Sequence, residues 1–541
     1  MIYVIDLFCG AGGYTEGIER AKAFGKKAAR VIACVNHDPY AIKSHRINHS
    51  RCWHFVEDIR TLDIGPIAAM VRTIRKREPD CVILLHASCE CQHHSKARGG
   101  LTKKADSRTL HDHLERYIDV INPDILTVEN VVEFRTAGPL RIKCESSTPI
   151  LSNLAIDKNG ELLYVANKEK SGESFREWIS TIKSYGYTYD DRDINAADFG
   201  AHTKRIRYFG QFVKKNMPIV WPTPTHAKNP TPGSGLRKWK AVKEVLDFSD
   251  QGHSIFKRKK PLVAKSLKRI LSGAIKYVAG GQKMYEEAKE RYYSHVNNLG
   301  SQFLIEQPDR FVTSTFIQQY YSNGGNKSSI HQPLGAITTK ARSAVVICDS
   351  IIPVEVPRGH DNLIYASSFI ARHFSGGGQH SSIEQPAGAL TTIPKMNLVN
   401  IEPVLSEHYL VNPQYSSKGG SVEDPCFTLI ARMDKSPVGI ISIDLNGQMF
   451  IPIEEDDCET TIAIKEFMAI YGISDIKNRM LRVDELKLIQ GFPANYYLAG
   501  NQARQLKAIG NSVAPCIPKA WIQEMAKVLR GNRASRMRIA A

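Results

Sequence analysis

The sequence contains no apolar run long enough to cross a membrane. A spanning helix needs about 20 consecutive apolar residues, and no stretch of the 541 residues approaches that length. The first residues also lack a basic leader followed by a small-residue cleavage site, which a secretory signal would have. These absences argue against a membrane protein and predict an intracellular one that has no membrane partner.

Cysteine is sparse and follows no repeated spacing. The chain has 11 cysteines in 541 residues. In a protein without a secretion signal, scattered cysteines favour reduced thiols over a disulfide framework.

Acidic residues are fewer than basic ones. Lys and Arg total 72 against 55 Asp and Glu, which gives a formal net charge of +17. Such a field attracts polyanions, of which nucleic acids are the commonest inside cells. Charge alone leaves nucleic-acid binding open, so the motifs have to decide.

The chain is long enough for two to four domains, and its first part reads as an α/β domain. Up to about residue 215, short β-branched runs alternate with amphipathic stretches, which predicts a doubly wound, mostly parallel sheet. Helical patterns cover 107–121 and 173–186, and Gly186 is placed as a helix stop. The predicted strands are 3–8, 30–35, 81–87, 125–131 and 206–213.

A proline- and glycine-rich segment at 218–235 predicts a domain boundary, because it can continue neither regular element. Beyond it, three self-similar segments pair an aromatic-containing apolar opening with a Gly/Ser turn and a β-branched run, which predicts a compact β-rich domain. The repeats cover about 314–346, 367–399 and 407–439. The predicted domains are 1–215, a smaller one at 216–473, and a segment 474–541 that returns to helical patterning and completes the first.

A glycine-rich turn follows the first strand and opens a helix. The run from Asp6 to Gly13 includes Phe8, Gly10 and Gly12. Such glycines let the backbone approach a nucleotide-like cofactor at the helix N-terminus. A turn that only packs strand against helix remains the alternative.

Two further segments stand where doubly wound folds bind a nucleoside. Asn36-His37-Asp38 follows the second strand, at the place of a ribose-binding group, and Asp58-Ile59 is placed to contact an adenine amino group. Each alone would equally suit a helix cap or a surface charge. In series they predict a cofactor crevice.

The strand 81–87 runs into a segment rich in reactive side chains, and two interpretations compete there. Cys89, Cys91, His93 and His94 offer metal ligands, but ligands this close in sequence strain a tetrahedral shell. The favoured alternative is a thiolate nucleophile on an exposed turn. A carboxyl at Glu129, at the end of the predicted strand 125–131, could stand beside it and act on a substrate proton.

In this order the motifs resemble one family, the cytosine-carbon-5 DNA methyltransferases. The resemblance covers roughly 1–215 and 474–541. Its motifs correspond here to DLFCGAGG at 6–13, Cys91-Gln92 with Ser95, Glu129-Asn130-Val131, Phe199 to Arg207, Arg479 with Glu485, LIQGFP at 488–493, and Gly510 to Val513.

The resemblance implies a class I, Rossmann-like methyltransferase fold whose β-rich insertion is a target-recognition domain. It implies S-adenosylmethionine as cofactor, S-adenosylhomocysteine as product, and no metal. Its implied catalytic residues are Cys91, Glu129, Arg205 and Arg207. Its implied cofactor residues are Phe8, Gly10, Gly12, Gly13, Asn36, His37, Asp58, Ile59, Asn511, Ser512 and Val513.

The implied activity is methylation of carbon 5 of a cytosine in a specific duplex DNA sequence. The base must be flipped out of the stack, since the ring is otherwise inaccessible. We expect a monomer in the cytoplasm of a prokaryotic or phage-infected cell, associated with the nucleoid and with restriction-modification. A tRNA cytosine methyltransferase and a catalytically silent DNA-binding homologue are the alternatives.

The sequence departs from the family pattern at four positions. Glu90 replaces a proline before the nucleophile, and a neighbouring carboxylate would raise the thiol pKa. Asn36 occupies the position of a ribose-binding glutamate, and His37 that of an apolar or aromatic residue that packs on adenine. Thr203 occupies the position of a glutamine. Cys89 is a second candidate nucleophile, but the following glutamine and serine fit Cys91.

Overall fold

A computed structural model describes residues 1–89, 112–142, 164–247, 249–250, 253–256, 258–306, 457–471 and 473–540, together with short strands between 315 and 445. Within those residues, no helix has the length and apolar character needed to span a bilayer.

The first part of the chain alternates strands and helices, as the hydrophobic pattern predicts. The strands of its sheet are β1 Ile2–Leu7, β2 Ala29–Val35, β3 Trp53–Phe55, β4 Val82–Ser88, β5 Ile125–Asn130, β6 Tyr187–Asn195 and β7 Ile206–Lys214. The helices are α1 Gly13–Arg20, α2 Pro39–Asn48, α3 Gly65–Arg77, α4 Glu115–Ile121 and α5 Glu173–Ser184.

These strands form one sheet in the order β6-β7-β5-β4-β1-β2-β3. The run from β5 through β4 and β1 to β2 and β3 is parallel, whereas β7 is antiparallel to both of its neighbours. The central strands are buried along their whole length, because helices cover both faces of a parallel sheet. The predicted doubly wound α/β fold is confirmed.

Short strands and 3₁₀ turns lie between and after these strands and helices. The short strands are Lys22–Ala23, Lys26–Lys27, Leu140–Ile142, Tyr164–Ala166, Thr203–Lys204, His226–Ala227, Arg237–Lys238 and His253–Ser254. The 3₁₀ turns are Asp112–Leu114, Val132–Thr136, Ala196–Phe199 and Val242–Val245.

The region after the predicted boundary opens with helices α6 Ala264–Tyr277 and α7 Gln282–Glu306 and continues as strands. Its strands are Thr315–Gln319, Lys327–Ser329, Ser343–Ile347, Phe369–Arg372, His380–Ser382, Ala387–Gly388, Met396–Val399, Ile401–Glu402, Ser406–Val411, Gly420–Ser421, Gly439–Leu445 and Ile473–Met480. Most of them join a second, largely antiparallel sheet, centred on the pair Gly439–Leu445 and Ile473–Met480. The predicted β-rich character of this region agrees with these strands, while much of the three repeats lies outside the described residues.

Residue 474, where helical patterning was predicted to return, lies within a strand that has helices before and after it. Ile473–Met480 is a strand of the second sheet, where it pairs antiparallel with Gly439–Leu445. Helices lie on both sides of this strand, one ending at Ile470 and the next beginning at Val483. The final helices are α8 Glu459–Ile470, α9 Val483–Gln490, α10 Gln502–Asn511 and α11 Cys516–Ala540.

The end of the chain packs against its beginning. A Cβ on Gly17 of α1 would lie 2.3 Å from the carbonyl oxygen of Pro515, so only glycine permits this approach of α1 to the start of α11. Trp521 of α11 stacks on Trp221 and donates its indole N–H to the carbonyl of Val220. The C-terminal segment therefore belongs to the same core as β1 and α1.

Candidate functional site

A cavity of about 320 Å³ opens at the carboxyl ends of the parallel strands, where doubly wound folds bind ligands. The loops that follow β1, β2, β4 and β5 meet there with residues from β7 and α10. The lining includes eight of the residues singled out from the sequence: Phe8, Gly10, Asn36, His37, Glu129, Arg205, Arg207 and Asn511.

The glycine-rich turn after β1 has the backbone that its sequence predicts. Gly10 and Gly12 adopt φ of 53° and 97°, and Phe8 adopts φ of 57°, a region that side chains other than glycine rarely occupy. A Cβ on Gly10 would meet no atom closer than 4.0 Å. The turn thus presents open backbone to the cavity, as a cradle for a ligand requires.

Gly12 and Gly13 do not line the cavity but hold the turn in place. A Cβ on Gly13 would lie 2.3 Å from the carbonyl oxygen of Val513. Ser512 and Val513 are buried behind the turn, and Tyr496 donates its hydroxyl to the carbonyl of Ala11. The first and last predicted motifs are therefore in direct contact.

The turn between β2 and α2 forms the second wall. Its backbone is organised by its own side chains: Asn36 Oδ1 accepts from the Asp38 amide at 2.9 Å. Asp38 in turn caps α2 by accepting from the amides of Tyr40 and Ala41. His37 lies between them and also lines the cavity.

Asp58 and Ile59 lie near this wall but outside the cavity lining. The Asp58 carboxylate accepts hydrogen bonds from the backbone and guanidinium of Arg60, and these bonds hold its pKa below the ordinary value. Ile59 is buried, and its carbonyl accepts from Arg116 and Tyr117. Their assignment to adenine binding stays a prediction.

The opposite wall carries a buried carboxyl between two arginines. Glu129, at the end of β5, is only 5% exposed, and Arg207 Nε lies 3.5 Å from its Oε1. Burial raises the pKa of Glu129, and Arg205, Arg207 and a hydrogen bond with Ser88 offset part of that rise. This environment favours a carboxyl that can hold a proton at higher pH than an exposed glutamate.

Arg205 is fixed from a distant part of the chain. It is 3% exposed, and its Nη1 donates to the carbonyl of Gly510 at 3.0 Å. Gly510 begins the motif Gly510 to Val513, whose Asn511 lines the cavity. One arginine thus joins the Phe199 to Arg207 segment to the final motif.

A buried chain of hydrogen bonds lies behind Glu129. Ser88 Oγ is 2.9 Å from His86 Nε2, and His86 Nδ1 is 2.9 Å from Thr127 Oγ1. The Tyr14 ring stacks on His86 at 3.3 Å, and burial lowers the pKa of this histidine. Burial thus favours the neutral imidazole, and Ser88 joins this chain to the Glu129 carboxyl.

Cys91, the predicted nucleophile, lies outside the described residues, as do Glu90, His93 and His94. The chain is described up to Cys89, which is buried and lines the cavity beside Ser88. Asn130 Nδ2 lies 3.5 Å from the carbonyl oxygen of Cys89. The described part of this strand and turn therefore reaches the cavity at Ser88 and Cys89.

Several residues at the site escaped the sequence analysis. Arg504 and Lys507 of α10 add positive charge to the lining, and Arg504 lies over the ring of Tyr40 at 3.6 Å. Their helical spacing i, i+3 on a polar face was the available signal. A buried group of two cysteines and two histidines behind the Asn36 turn was also missed.

Comparison with known proteins gives one family. The model of the family described as C-5 cytosine-specific DNA methylase matches residues 2–140 and 408–527. The resemblance predicted from the motifs is therefore confirmed. The matched ranges contain the glycine-rich turn, Glu129 and the final motif.

Curated relatives agree with this family. The chain is 27% identical over 226 residues to the type II methyltransferase M.XorII of Xanthomonas oryzae, which covers 41% of this chain and 43% of that protein. It is 26% identical to M1.BsuMI of Bacillus subtilis, over 38% of this chain and 42% of that protein. The chain thus aligns with less than half of the length of these relatives.

Proposed function

Because residues 2–140 and 408–527 match the C-5 cytosine-specific DNA methylases, we propose that this protein methylates carbon 5 of cytosine in DNA. The methyl donor is S-adenosylmethionine, and the target is a cytosine flipped out of a specific duplex sequence. Cys91 forms a transient covalent adduct with the base.

One observation carries the proposal: the predicted cofactor wall and the predicted catalytic wall face the same cavity. Phe8, Gly10 and Asn36 follow β1 and β2, whereas Glu129 and Arg207 lie in β5 and β7, across β4 in the sheet, and all five line the cavity. A methyl transfer between two bound molecules requires both to meet at one point. A fold that used these motifs only for packing would not need to open them onto a shared space.

The residues present fit the cofactor. The cavity volume lies within the range of roughly 300–1,000 Å³ typical of small-molecule sites. Gly10 leaves open space at the turn, and Asn36, His37 and Asn511 offer polar contacts around it. When bound there, S-adenosylmethionine supplies an electrophilic sulfonium methyl group.

Cys91 and Glu129 have complementary tasks in this mechanism. The Cys91 thiolate adds to carbon 6 of cytosine and makes carbon 5 nucleophilic. A protonated Glu129 transfers its proton to N3 as negative charge develops on the ring, which its raised pKa favours, and takes it back when the product forms. After methylation a water molecule takes the carbon-5 proton, the electron pair of that bond re-forms the 5,6 double bond, and the bond from carbon 6 to Cys91 breaks to release the thiolate.

The arginines and the second sheet have supporting tasks. Arg207, beside Glu129, is placed to hold the base oxygen, and Arg205 holds the final motif against this wall. The net charge of +17 favours approach of the phosphate backbone. The β-rich region, with its Gly/Ser loops, reads the target sequence. The whole protein acts as a monomer bound to DNA in the cytoplasm, within a restriction-modification system.

The direct test is mass spectrometry of nucleosides after incubation with S-adenosylmethionine. Unmethylated duplex DNA and tRNA are incubated separately with the full chain. We expect 5-methyl-deoxycytidine from DNA and no methylated cytidine from tRNA. Signal from tRNA alone would keep the chemistry and change the substrate, and no signal from either would favour a silent DNA-binding homologue.

The role of Cys91 is tested by trapping its adduct. Duplex DNA that carries 5-fluorocytosine has no proton to lose from carbon 5, so the covalent complex should accumulate. We expect a denaturation-resistant complex whose crosslinked peptide contains Cys91, and we expect Cys91→Ala to abolish both complex and methylation. Cys89→Ala is the matched control, and a complex that disappeared in that variant alone would move the nucleophile to Cys89.

A further inference from the structure

Four metal-binding side chains meet in the core behind the Asn36 turn. Cys34 lies in β2, His45 in α2, Cys52 just before β3, and His54 within β3. Cys34 and His45 are fully buried, Cys52 is 7% exposed, and His54 is half-buried. One sulfur or ring nitrogen from each lies within 4.8 Å of all the others.

The spacing of these atoms is that of a tetrahedral zinc shell. With Zn–S near 2.3 Å and Zn–N near 2.05 Å, tetrahedral angles place sulfur about 3.5 Å from nitrogen and two nitrogens about 3.3 Å apart. Cys34 Sγ to His45 Nδ1 and Cys52 Sγ to His54 Nε2 both measure 3.5 Å, and Cys52 Sγ to His45 Nδ1 measures 3.8 Å. His45 Nδ1 and His54 Nε2 are 3.0 Å apart.

The far side of His45 supports the same assignment. Its Nε2 lies 3.0 Å from Thr15 Oγ1, and that hydroxyl donates to Asp6 Oδ2 at 2.7 Å. When Nε2 donates its proton to Thr15, Nδ1 is left as a lone pair that faces the two sulfurs and His54. Ligating histidines typically use the second nitrogen in this way, because it fixes the ring and its tautomer.

Charge also favours a divalent ion at this place. Two thiolates and Zn²⁺ sum to zero, so the complete shell places no net charge in the core. Two cysteines and two histidines are a standard structural zinc set, and four protein ligands leave no open position for a substrate or water.

We propose that Cys34, His45, Cys52 and His54 bind a structural Zn²⁺ ion. This departs from the expectation of no metal in the sequence analysis, and it is independent of the proposed methyl transfer. The ion would tie β2, α2 and β3 together directly behind the Asn36 to Asp38 turn. A Cβ on Gly12 would meet His45 Cδ2 at 3.0 Å, so the site also supports the glycine-rich turn.

The test is metal analysis of the untagged full chain, purified from zinc-supplemented cells without chelators. We expect about one zinc per chain. After exchange with Co²⁺ we expect the intense visible absorption of tetrahedral cobalt together with thiolate-to-cobalt charge transfer in the near ultraviolet. Neither signal depends on cofactor or DNA, so failure here would not bear on the proposed function.

Matched variants locate the ion. Cys52→Ser and His54→Asn should each lower the zinc content at least about tenfold and remove the cobalt spectrum. Cys81→Ser, at another buried thiol, and Cys91→Ser should keep both. The Cys91→Ser control separates this group from the competing ligand set around Cys89 and His93.

Three results would overturn the proposal. The first is a wild-type chain that contains no zinc and gives no tetrahedral spectrum with added Co²⁺. The second is metal retained by both Cys52→Ser and His54→Asn. The third is a Cys34–Cys52 disulfide in non-reducing peptide mass spectrometry of the freshly purified protein. Should a variant fail to fold, the metal content, spectrum and thiol state of the wild-type chain decide.

Discussion

The two walls of the cavity are built in different ways. At the β2 to α2 turn, Asn36 and Asp38 satisfy amides within three residues of themselves. At the other wall, Glu129 is held by residues far along the chain, and Arg205 is anchored on the carbonyl of Gly510, 305 residues away. Local hydrogen bonds hold the β2 to α2 turn in place, whereas contacts between distant segments hold the wall around the buried carboxyl of Glu129.

The two walls should therefore respond differently to amino-acid substitutions. A local turn can lose one hydrogen bond and weaken a ligand without disturbing distant residues. A buried carboxyl between two arginines is coupled to its surroundings through charge and burial, so its replacement alters chemistry and stability together.

The largest effect on activity is expected at the cavity wall that carries Glu129. Glu129→Gln keeps the shape of the side chain but cannot transfer a proton to N3, so kcat should fall about 10²- to 10⁴-fold. Single-turnover methylation of duplex DNA measures it. Glu133→Gln, a nearby carboxyl outside the cavity lining, is the control and should resemble the wild type. A kcat within a few-fold of wild type in Glu129→Gln would remove this residue from the chemistry.

A smaller effect, on cofactor affinity, is expected at the cavity wall formed by the β2 to α2 turn. Asn36→Ala removes the acceptor for the Asp38 amide, and a hydrogen bond contributes about 0.5–1.5 kcal/mol. The dissociation constant for S-adenosylmethionine should rise roughly 2- to 10-fold, with kcat at saturation unchanged. Titration calorimetry measures the affinity. Asn36→Asp retains the acceptor and serves as the control, and an equal loss of kcat would mean that the walls are not separable.

The smallest effect concerns stability and pH. The pKa of Glu129 is raised above its ordinary value of 4.5, so the folded state binds this proton more tightly than the unfolded state. Its stabilising contribution is complete below pH 4.5 and is lost as pH rises through the folded pKa. Relative to wild type, the Tm of Glu129→Gln should therefore increase as pH rises from about 5 to 8. Thermal melts at both pH values test the sign, and a decrease would contradict the raised pKa.

The local hydrophobic pattern and the glycines of the first turn were sufficient to predict most strands of the sheet and the position of the turn at Phe8 to Gly13. The buried runs that became β1, β4 and β5 are continuous and apolar, and the turn at Phe8 to Gly13 is marked by its glycines. The strand β6 was not predicted, because its sequence YTYDDRDIN is charged. It lies at the sheet edge, where seven of its nine residues are partly or fully exposed.

Contacts between distant segments could not be predicted from pattern. Nothing at Arg205 indicates that its partner is the carbonyl of Gly510, since backbone carbonyls carry no sequence signature. Cys34, His45, Cys52 and His54 have none of the short paired spacings of known zinc motifs. They meet only because parallel strands bring β2 and β3 side by side under α2.

The contact of Gly13 with the carbonyl of Val513 has a consequence for biosynthesis. The turn near the start of the chain gains its backing only when residue 513 has been translated, 500 residues after residue 13. At about 5–20 residues per second this takes roughly 25–100 s. A nascent chain therefore carries the Phe8 to Gly13 turn without this backing until synthesis is almost complete, and a chain truncated in the β-rich region lacks the backing altogether.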